Sequence, residues 1–192
     1  RKGASCIIKE SATKTKEKAR QVTFIEVRDT TRALGDIARF QRKKFFNIPV
    51  IAVTGSNGKT TAKEMIACVL SGQFKVLKNE GTKNNQIGLP MALLKLDGSY
   101  DIVVLEVGTN HFGEVEYLTK ICQPNIGIIT NIGPSHLEFL RDLGGVFKEK
   151  YALIKNLKKP HIGILNSDDD LLKKKICAKP RKTVILGFGI KN

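Results

Sequence analysis

No apolar run in this sequence approaches the roughly 20 residues that a membrane-spanning helix needs. The sequence shows no signal-peptide pattern. Apolar residues make up 41% of the chain and charged residues 27%, as in ordinary globular domains. We therefore expect a soluble cytoplasmic protein without a membrane span.

Cysteine is scarce and scattered. The four cysteines, Cys6, Cys68, Cys122 and Cys177, are far apart, and no C-x-x-C pair occurs. Zinc sites and disulfide frameworks use paired or regularly spaced cysteines. The sequence therefore predicts neither, and its cysteine pattern is typical of a reducing compartment.

Acidic and aromatic residues are few relative to basic ones. The chain has 33 Lys and Arg against 18 Asp and Glu, a net charge of +15, and it has no Trp and only three Tyr. A basic chain suits nucleic acid, an anionic membrane or a phosphorylated small molecule. Proteins that stack single strands interleave aromatic with basic residues, and this chain does not. A basic nucleotide- or nucleic-acid-binding module without catalysis stays open as the alternative to an enzyme.

A glycine-rich turn, Thr54-Gly-Ser-Asn-Gly-Lys-Thr-Thr61, is the most informative stretch. It follows a short β-branched apolar run and precedes a segment with helical spacing, which predicts a strand, a turn and a helix. In this context backbone N–H groups and the helix N-terminus attract phosphate. Val53 stands where the general P-loop pattern has glycine, so a plain glycine turn is the alternative. The residues expected to bind nucleotide are Gly55, Ser56, Asn57, Gly58, Lys59, Thr60 and Thr61.

From residue 48 onward, short apolar strands alternate with amphipathic helices. Strands are predicted over 50–54, 74–77, 102–107, 126–130, 161–165 and 183–186, and helices over 59–70, 89–96, 113–122, 143–157 and 168–176. This alternation predicts an α/β fold with a doubly wound, mostly parallel sheet that carries the P-loop. Ligands bind such sheets at the carboxyl ends of the strands.

Residues 1–46 differ from the rest of the chain. They are more basic, with two short strand candidates over 5–9 and 22–27 around a polar stretch. Asp29-Thr30-Thr31 then provides an N-cap signal for a helix with one apolar face. We expect this segment to be the tail of another domain, joined by the helix to a domain that begins at residue 47.

Polar residues follow three of the predicted strands. Glu106 ends an apolar strand, where a buried carboxylate is costly unless a cation such as Mg²⁺, a lysine or a helix N-terminus offsets its charge. His136 lies in a Gly-Pro loop, where a histidine is usually structural. Asn84 and Asn85 lie in a polar loop before a helix and suit either a polar substrate or a simple turn.

Four segments taken together resemble the Mur ligases. They are the P-loop, Gly81-Thr-Lys-Asn-Asn-Gln-Ile-Gly-Leu-Pro90, Glu106-Val-Gly-Thr-Asn-His-Phe-Gly-Glu114 and Asn131-Ile-Gly-Pro-Ser-His-Leu-Glu138. The resemblance covers nearly the whole chain but not a whole enzyme. It implies that 1–46 are the C-terminal part of an N-terminal domain for a UDP-linked substrate and that 47–192 are most of the central ATP-binding domain. The C-terminal domain of the family is absent, so we expect a fragment that is inactive in isolation.

The activity that the resemblance implies is ATP-dependent amide-bond formation through an acyl phosphate, with Mg²⁺ as a second cofactor. The second and third segments are most similar to family members that add D-alanyl-D-alanine to UDP-N-acetylmuramoyl-tripeptide in peptidoglycan precursor synthesis. Earlier-step ligases of the family and folylpolyglutamate synthase, which share the fold, are the alternatives. We expect a monomer with these two substrates and no nucleic-acid partner.

The resemblance also implies roles for single residues. Lys59 would hold ATP phosphates, and Thr60, Glu106 and His136 would bind Mg²⁺. Family members carry a lysine, often carbamylated, at a spacing after the histidine that corresponds to Lys150. A carbamate there would bind a second Mg²⁺, and an ordinary solvated lysine is the alternative. The expected catalytic residues are Lys59, His136 and Lys150, and those expected to face the muramoyl peptide are Asn84, Asn85, Asn110 and His111.

Overall fold

Six parallel strands form the main sheet of the computed structural model, which describes residues 4–13, 22–178 and 182–190. Together with a separate pair, the described residues contain eight strands: β1 (Cys6–Glu10), β2 (Thr23–Val27), β3 (Val50–Thr54), β4 (Val76–Lys78), β5 (Ile102–Glu106), β6 (Ile126–Ile129), β7 (Ile162–Asn166) and β8 (Val184–Phe188). The helices are α1 (Thr30–Lys44), α2 (Lys59–Leu70), α3 (Gly88–Leu93), α4 (Glu114–Cys122), α5 (Leu137–Leu140), α6 (Leu143–Lys155) and α7 (Asp170–Cys177). β1 and β2 pair separately, and the main sheet has the order β4-β5-β3-β6-β7-β8.

Helices cover both faces of this sheet. Along β3, Val50 and Ala52 pack with side chains of α3, α4 and α6 on one face, whereas Ile51 packs with Ala67 of α2 on the other. From β3 the chain passes through α2 on one face to β4, at one edge of the sheet. It then moves in the opposite direction to β8, at the other edge, with the later helices on the opposite face. Because direction and face change together, all crossovers have the same handedness. All strand pairs of the main sheet are parallel. The predicted doubly wound α/β sheet is confirmed.

Most predicted element bounds agree with the structure to within two residues. β3 and α2 begin and end where predicted. β4 begins two residues later than predicted, because the Phe74 amide donates to the Leu70 carbonyl and so belongs to the turn that ends α2. The short helix α5 was not predicted, and α3 ends three residues early, at Leu93. The predicted polar stretch after β1 lies largely outside the described residues.

Helix α1 packs against α3 and α4 rather than standing apart from the main sheet. Its Asp29 N-cap accepts a hydrogen bond from the Arg32 amide, as the sequence predicts. Near its other end, the buried Arg42 donates to the carbonyls of Cys122 (3.0 Å) and Phe45 (2.5 Å), at the carboxyl ends of α4 and α1. Burial lowers the pKa of this guanidinium. The domain boundary at residue 46 stays a prediction, and α1 is anchored on the side of the main sheet.

No helix in the described part of the chain is long and apolar enough to cross a membrane. The four cysteines are free thiols, and only Cys122 is buried. Burial raises the pKa of the Cys122 thiol to about 12, so this thiol is protonated and unreactive at neutral pH.

Candidate functional site

The glycine-rich turn connects β3 to α2 at the carboxyl edge of the sheet. Gly55 has φ +151°, and a Cβ atom there would lie 1.9 Å from Thr130 Oγ1. Gly58 caps α2 with φ +75° and has open space around it. Gly55 is therefore required by space as well as by backbone conformation, whereas Gly58 is required by conformation alone.

The loop that follows β6 fixes the P-loop in place. The amides of Ser56 and Asn57 donate to the carbonyl and side-chain oxygens of Asn131, at 3.0 and 2.9 Å. Ser56 Oγ donates to the Gly133 carbonyl (2.8 Å) and accepts from the Gly133 amide (2.9 Å). Thr130 Oγ1 donates to the Asn57 carbonyl (2.6 Å). The sequence placed Asn131 in a motif without a role, and the structure makes it the main support of the phosphate loop.

Lys59 and Lys150 approach each other although they belong to different helices. Lys59 begins α2, and its Nζ donates to the Ser56 carbonyl at 3.1 Å. Lys150, on α6, is only 2% exposed. Its pKa falls from 10.5 to about 8, mainly because of burial and secondly because of the positive charge of Lys59. Lys150 is therefore not an ordinary solvated lysine, and its amine is neutral in part of the molecules near neutral pH.

Glu106 ends β5 beside the P-loop and is 1% exposed. Its Oε2 accepts from Thr60 Oγ1 at 2.7 Å, and its Oε1 accepts from Asn84 Nδ2 at 2.6 Å. Three of the predicted site residues therefore meet at one carboxylate. Carboxylate and hydroxyl oxygens are hard ligands of the kind that Mg²⁺ prefers, so the donor set of Thr60 and Glu106 fits this ion.

The remaining residues predicted to face a substrate lie in the loops that precede α3 and α4. Asn85 Oδ1 accepts from the amides of Ile87 (3.1 Å) and Gly88 (2.9 Å), so its oxygen caps α3. Asn110 and His111 are exposed, and their amides donate to Glu114 Oε2. A cavity of about 110 Å³ lies between the two loops and is lined by Asn84, Asn85 and Asn110 among others. Their substrate roles stay predictions.

His136 follows Ser135, whose Oγ lies 3.1 Å from Ser56 Oγ of the phosphate loop. His136 is exposed, and it begins α5 in the left-handed conformation with φ +51°. Within residues 4–13, 22–178 and 182–190, no group of three or more His, Cys, Asp or Glu side chains could hold a metal ion. The structure thus shows a direct contact between Thr60 and Glu106, and the metal-binding role of His136 stays a prediction.

Glu149 has a structural role that no sequence motif indicated. This carboxylate is 4% exposed and accepts from the amides of Gly113 (2.7 Å) and Val115 (2.8 Å) and from Thr109 Oγ1 (3.3 Å). It therefore caps the N-terminus of α4 from the neighbouring helix α6, with a favourable charge for that position. Lys150 follows Glu149 directly. The same turn of α6 therefore carries the buried amine of Lys150 and the carboxylate that binds the loop containing Asn110.

Comparison with known proteins agrees with this arrangement of fold and site. The family model described as the Mur ligase middle domain matches residues 53–192. The UDP-N-acetylmuramoyl-tripeptide–D-alanyl-D-alanine ligase of Haemophilus influenzae is 41% identical over 155 residues, which are 79% of this chain and 34% of the relative.

Solved structures of similar proteins have the same fold over nearly the whole length of this chain. MurF from Acinetobacter baumannii has a TM-score of 0.87 and 32% identity, over 99% of this chain and 40% of that one. MurF from Thermotoga maritima, solved in complex with ADP, has a TM-score of 0.85 and 31% identity, over 99% of this chain and 42% of that one.

Fold and site define a parallel α/β domain with a P-loop and an acidic strand end beside it. Together with the family match over residues 53–192, this establishes the family. The chain belongs to the Mur ligase family. It spans about a third of the length of the curated relatives that it matches.

Proposed function

We propose that this chain is the central, ATP-binding part of a ligase that joins D-alanyl-D-alanine to UDP-N-acetylmuramoyl-tripeptide. The observation that carries the proposal is the position of Glu106, whose two carboxylate oxygens contact Thr60 of the phosphate loop and Asn84 of the neighbouring polar loop. A ligase of this kind must hold ATP and a carboxylic acid side by side, and these two loops meet at one residue. The names of the similar proteins support the choice of substrates.

The reaction would take place in two steps. The free carboxylate of the tripeptide attacks the γ-phosphorus of ATP, the bond to the β,γ-bridging oxygen breaks, and ADP leaves. The amine of D-alanyl-D-alanine then attacks the acyl carbonyl, phosphate leaves with the bonding electrons, and the nitrogen loses a proton. In both steps the protein positions the reactants and offsets their negative charge.

Residues of the phosphate loop would supply much of that positive potential. Lys59 and the backbone amides at the start of α2 would hold the nucleotide phosphates. ATP would bind with Mg²⁺, and Thr60 and Glu106 would hold the ion, which neutralises phosphate charge when bound. Asn84, Asn110 and His111 would contact the tripeptide.

Lys150 would complete the catalytic set. With a pKa of about 8, its amine has a neutral fraction that can react with CO₂ near neutral pH. The nitrogen attacks the carbon of CO₂ and loses a proton, which leaves a carbamate anion. Carbon-13 NMR with labelled bicarbonate would detect that carbamate, and Lys150→Met would remove the signal.

The wider organisation follows from the same proposal. Residues 1–46 would complete a domain that binds the UDP portion of the acceptor, and 47–192 would form the ATP-binding domain. We also propose a monomer that acts in the cytoplasm, where ATP is available.

The experiment uses the complete gene product and measures ADP release with UDP-N-acetylmuramoyl-tripeptide. Sustained release over many turnovers is expected to require both that acceptor and D-alanyl-D-alanine, and Lys59→Ala should abolish it while the protein still folds. Turnover with a different amine or with a folate acceptor would assign another ligase of the same fold. Salt-sensitive DNA binding without ATP binding would refute an enzymatic role.

A further inference from the structure

A buried lysine outside the predicted site connects α2 to the polar loop that carries Asn84. Lys63 has no exposed surface, and its Nζ donates to the carbonyls of Asn79 (2.7 Å) and Gly81 (3.0 Å). It also lies 2.9 Å from the Glu64 carboxylate. A buried ammonium needs hydrogen-bond partners, and the loop supplies two carbonyls beside the Glu64 carboxylate, so displacement of the loop would be unfavourable. Lys63 is three residues after Thr60 and so lies on the same side of α2.

Asn79 continues this connection from the loop to β5. It is also fully buried, and its side chain exchanges two hydrogen bonds with the backbone of Glu106. The Glu106 amide donates to Asn79 Oδ1 at 2.9 Å, and Asn79 Nδ2 donates to the Glu106 carbonyl at 3.1 Å. The Asn79 amide group therefore extends the β4–β5 ladder beyond Lys78, where strand β4 ends. This contact and the pairing of β5 with β3 together hold the backbone of Glu106 from both sides.

The polar loop then returns to the Glu106 side chain through Asn84. Asn84 Nδ2 donates to the carboxylate, and the Asn84 carbonyl accepts from the Gly108 amide at 2.9 Å. A Cβ atom on Gly108 would lie 2.4 Å from Asn84 Oδ1, so Asn84 fits closely against the backbone. The other carboxylate oxygen of Glu106 accepts from Thr60. A displacement of Asn84 must therefore alter the hydrogen bonding of Glu106 and, through it, of Thr60.

We propose that Lys63 and Asn79 are positioning residues that lock the loop of residues 79–85 to the phosphate-loop helix, so that acceptor binding at Asn84 strengthens nucleotide binding at Thr60 through Glu106. The inference rests on the proposed function, because it takes Asn84 as an acceptor contact and Thr60 as a nucleotide contact. Neither Lys63 nor Asn79 touches a reactant, so their effect is a coupling between two sites. Such a coupling is reciprocal: nucleotide strengthens acceptor binding by the same factor.

The test measures that coupling directly in the complete gene product. Isothermal titration gives the Kd of a non-hydrolysable ATP analogue with Mg²⁺, with and without saturating UDP-N-acetylmuramoyl-tripeptide. In the wild type we expect the acceptor to lower this Kd by about fivefold or more, as is usual for coupled sites. In Lys63→Met the factor should fall close to one, while the Kd for the analogue alone changes little.

A matched control separates the loop contacts from the ion pair. Glu64→Gln removes the charged neighbour of Lys63 but leaves its two bonds to carbonyls, and Glu64 is 41% exposed. The coupling factor should therefore stay at the wild-type value in Glu64→Gln. All titrations are made well below the Tm of each variant, so that a general loss of stability does not enter the result. If Lys63→Met does not fold, Asn79→Ala, which breaks the same connection at its other end, decides the question.

A double-mutant cycle with Asn84→Ala shows whether the effect passes through that residue. If it does, adding Lys63→Met to Asn84→Ala causes no further loss of coupling. Wild-type coupling in Lys63→Met, or strictly additive losses in the cycle, would overturn the inference and leave the proposed function intact. A wild-type protein that binds neither nucleotide nor acceptor would overturn the proposed function and the inference with it.

Discussion

Thr60 donates its hydroxyl proton to Glu106 over 2.7 Å. A hydroxyl that donates in this way keeps its oxygen lone pairs free for another partner. Under the proposed function a Mg²⁺ ion would bind at those lone pairs, and Glu106 would then orient Thr60 as a metal ligand. The buried carboxylate thus has a structural partner in Thr60, and it would also offset the charge of the ion.

This relationship predicts the behaviour of Glu106→Gln. Glutamine keeps the shape of the side chain but lacks its charge, so we expect the Kd for ATP in the presence of Mg²⁺ to rise by about 10- to 100-fold, as when a supporting residue of a metal site is removed. The Kd measured in EDTA should change little. Glu80→Gln is the control, because Glu80 is exposed and contacts only Lys83 and Lys95 among the described residues. Equal losses with and without Mg²⁺ would contradict the metal role.

Much of the fold could be predicted because strong local signals agree with the tertiary structure. β3 is buried along its whole length, and an uninterrupted apolar run of that length predicts a central parallel strand. The glycine turn then fixes the start of α2. Local signals were too weak at α5, which has four residues and cannot show a helical period. The order of the strands depends on packing between distant segments and could not be predicted residue by residue.

The sequence could indicate individual residues of the site but not the hydrogen bonds that join them. The contact between the P-loop and Asn131 exists because β6 lies beside β3, which is a property of the sheet order. Two adjacent asparagines looked equivalent in the sequence, yet Asn84 bonds to Glu106 while the side-chain oxygen of Asn85 caps α3. Glu149 was missed because its partners are backbone amides of another helix, which leave no pattern in the sequence.

The two glycines of the phosphate loop should differ in their response to alanine. Gly55→Ala places a Cβ atom against Thr130 Oγ1 and forces a shift of the support loop, so we expect loss of nucleotide binding and a large loss of stability. Gly58→Ala meets no neighbouring atom and should cost only the left-handed conformation, about 1 kcal/mol. Urea unfolding and ATP titration of both variants provide the comparison. Equal effects at the two positions would show that space around Gly55 is not limiting.

Glu149 should be important for the stability of the N-terminus of α4. Glu149→Gln puts an amide group where the amides of Gly113 and Val115 now donate, and we expect a loss of about 2 kcal/mol, as for hydrogen bonds to a charged group. Hydrogen exchange at those two amides should become faster. Glu116→Gln is the matched control, because Glu116 forms an exposed ion pair with Lys120 and surface pairs contribute little to stability. Unchanged exchange in Glu149→Gln would rule out this cap.

The pH dependence of stability should depend on Lys150. Its pKa in the folded protein is about 8, against 10.5 for the ordinary side chain. Between these values the unfolded chain binds more protons than the native one, so the free energy of unfolding attributable to this group rises with pH across the window from 8 to 10.5. Below pH 8 the full penalty of burying the ammonium is present, about 3 kcal/mol, and it disappears as the pH approaches 10.5.

Lys150→Met should therefore stabilise the protein at pH 7 by up to about 3 kcal/mol in buffer free of CO₂, because methionine fills the site without a charge. At pH 10 most of this advantage should be gone, since Lys150 is then largely neutral in the native state. Urea unfolding of both proteins at the two pH values gives the difference, and Lys148→Met, at an exposed neighbouring position, should show no such pH dependence. A stabilisation that is the same at pH 7 and pH 10 would mean that the amine is not held in its neutral form by burial. The pKa of Lys150 in the native state would then lie close to that of an ordinary lysine, because another charged group offsets the cost of burying its ammonium.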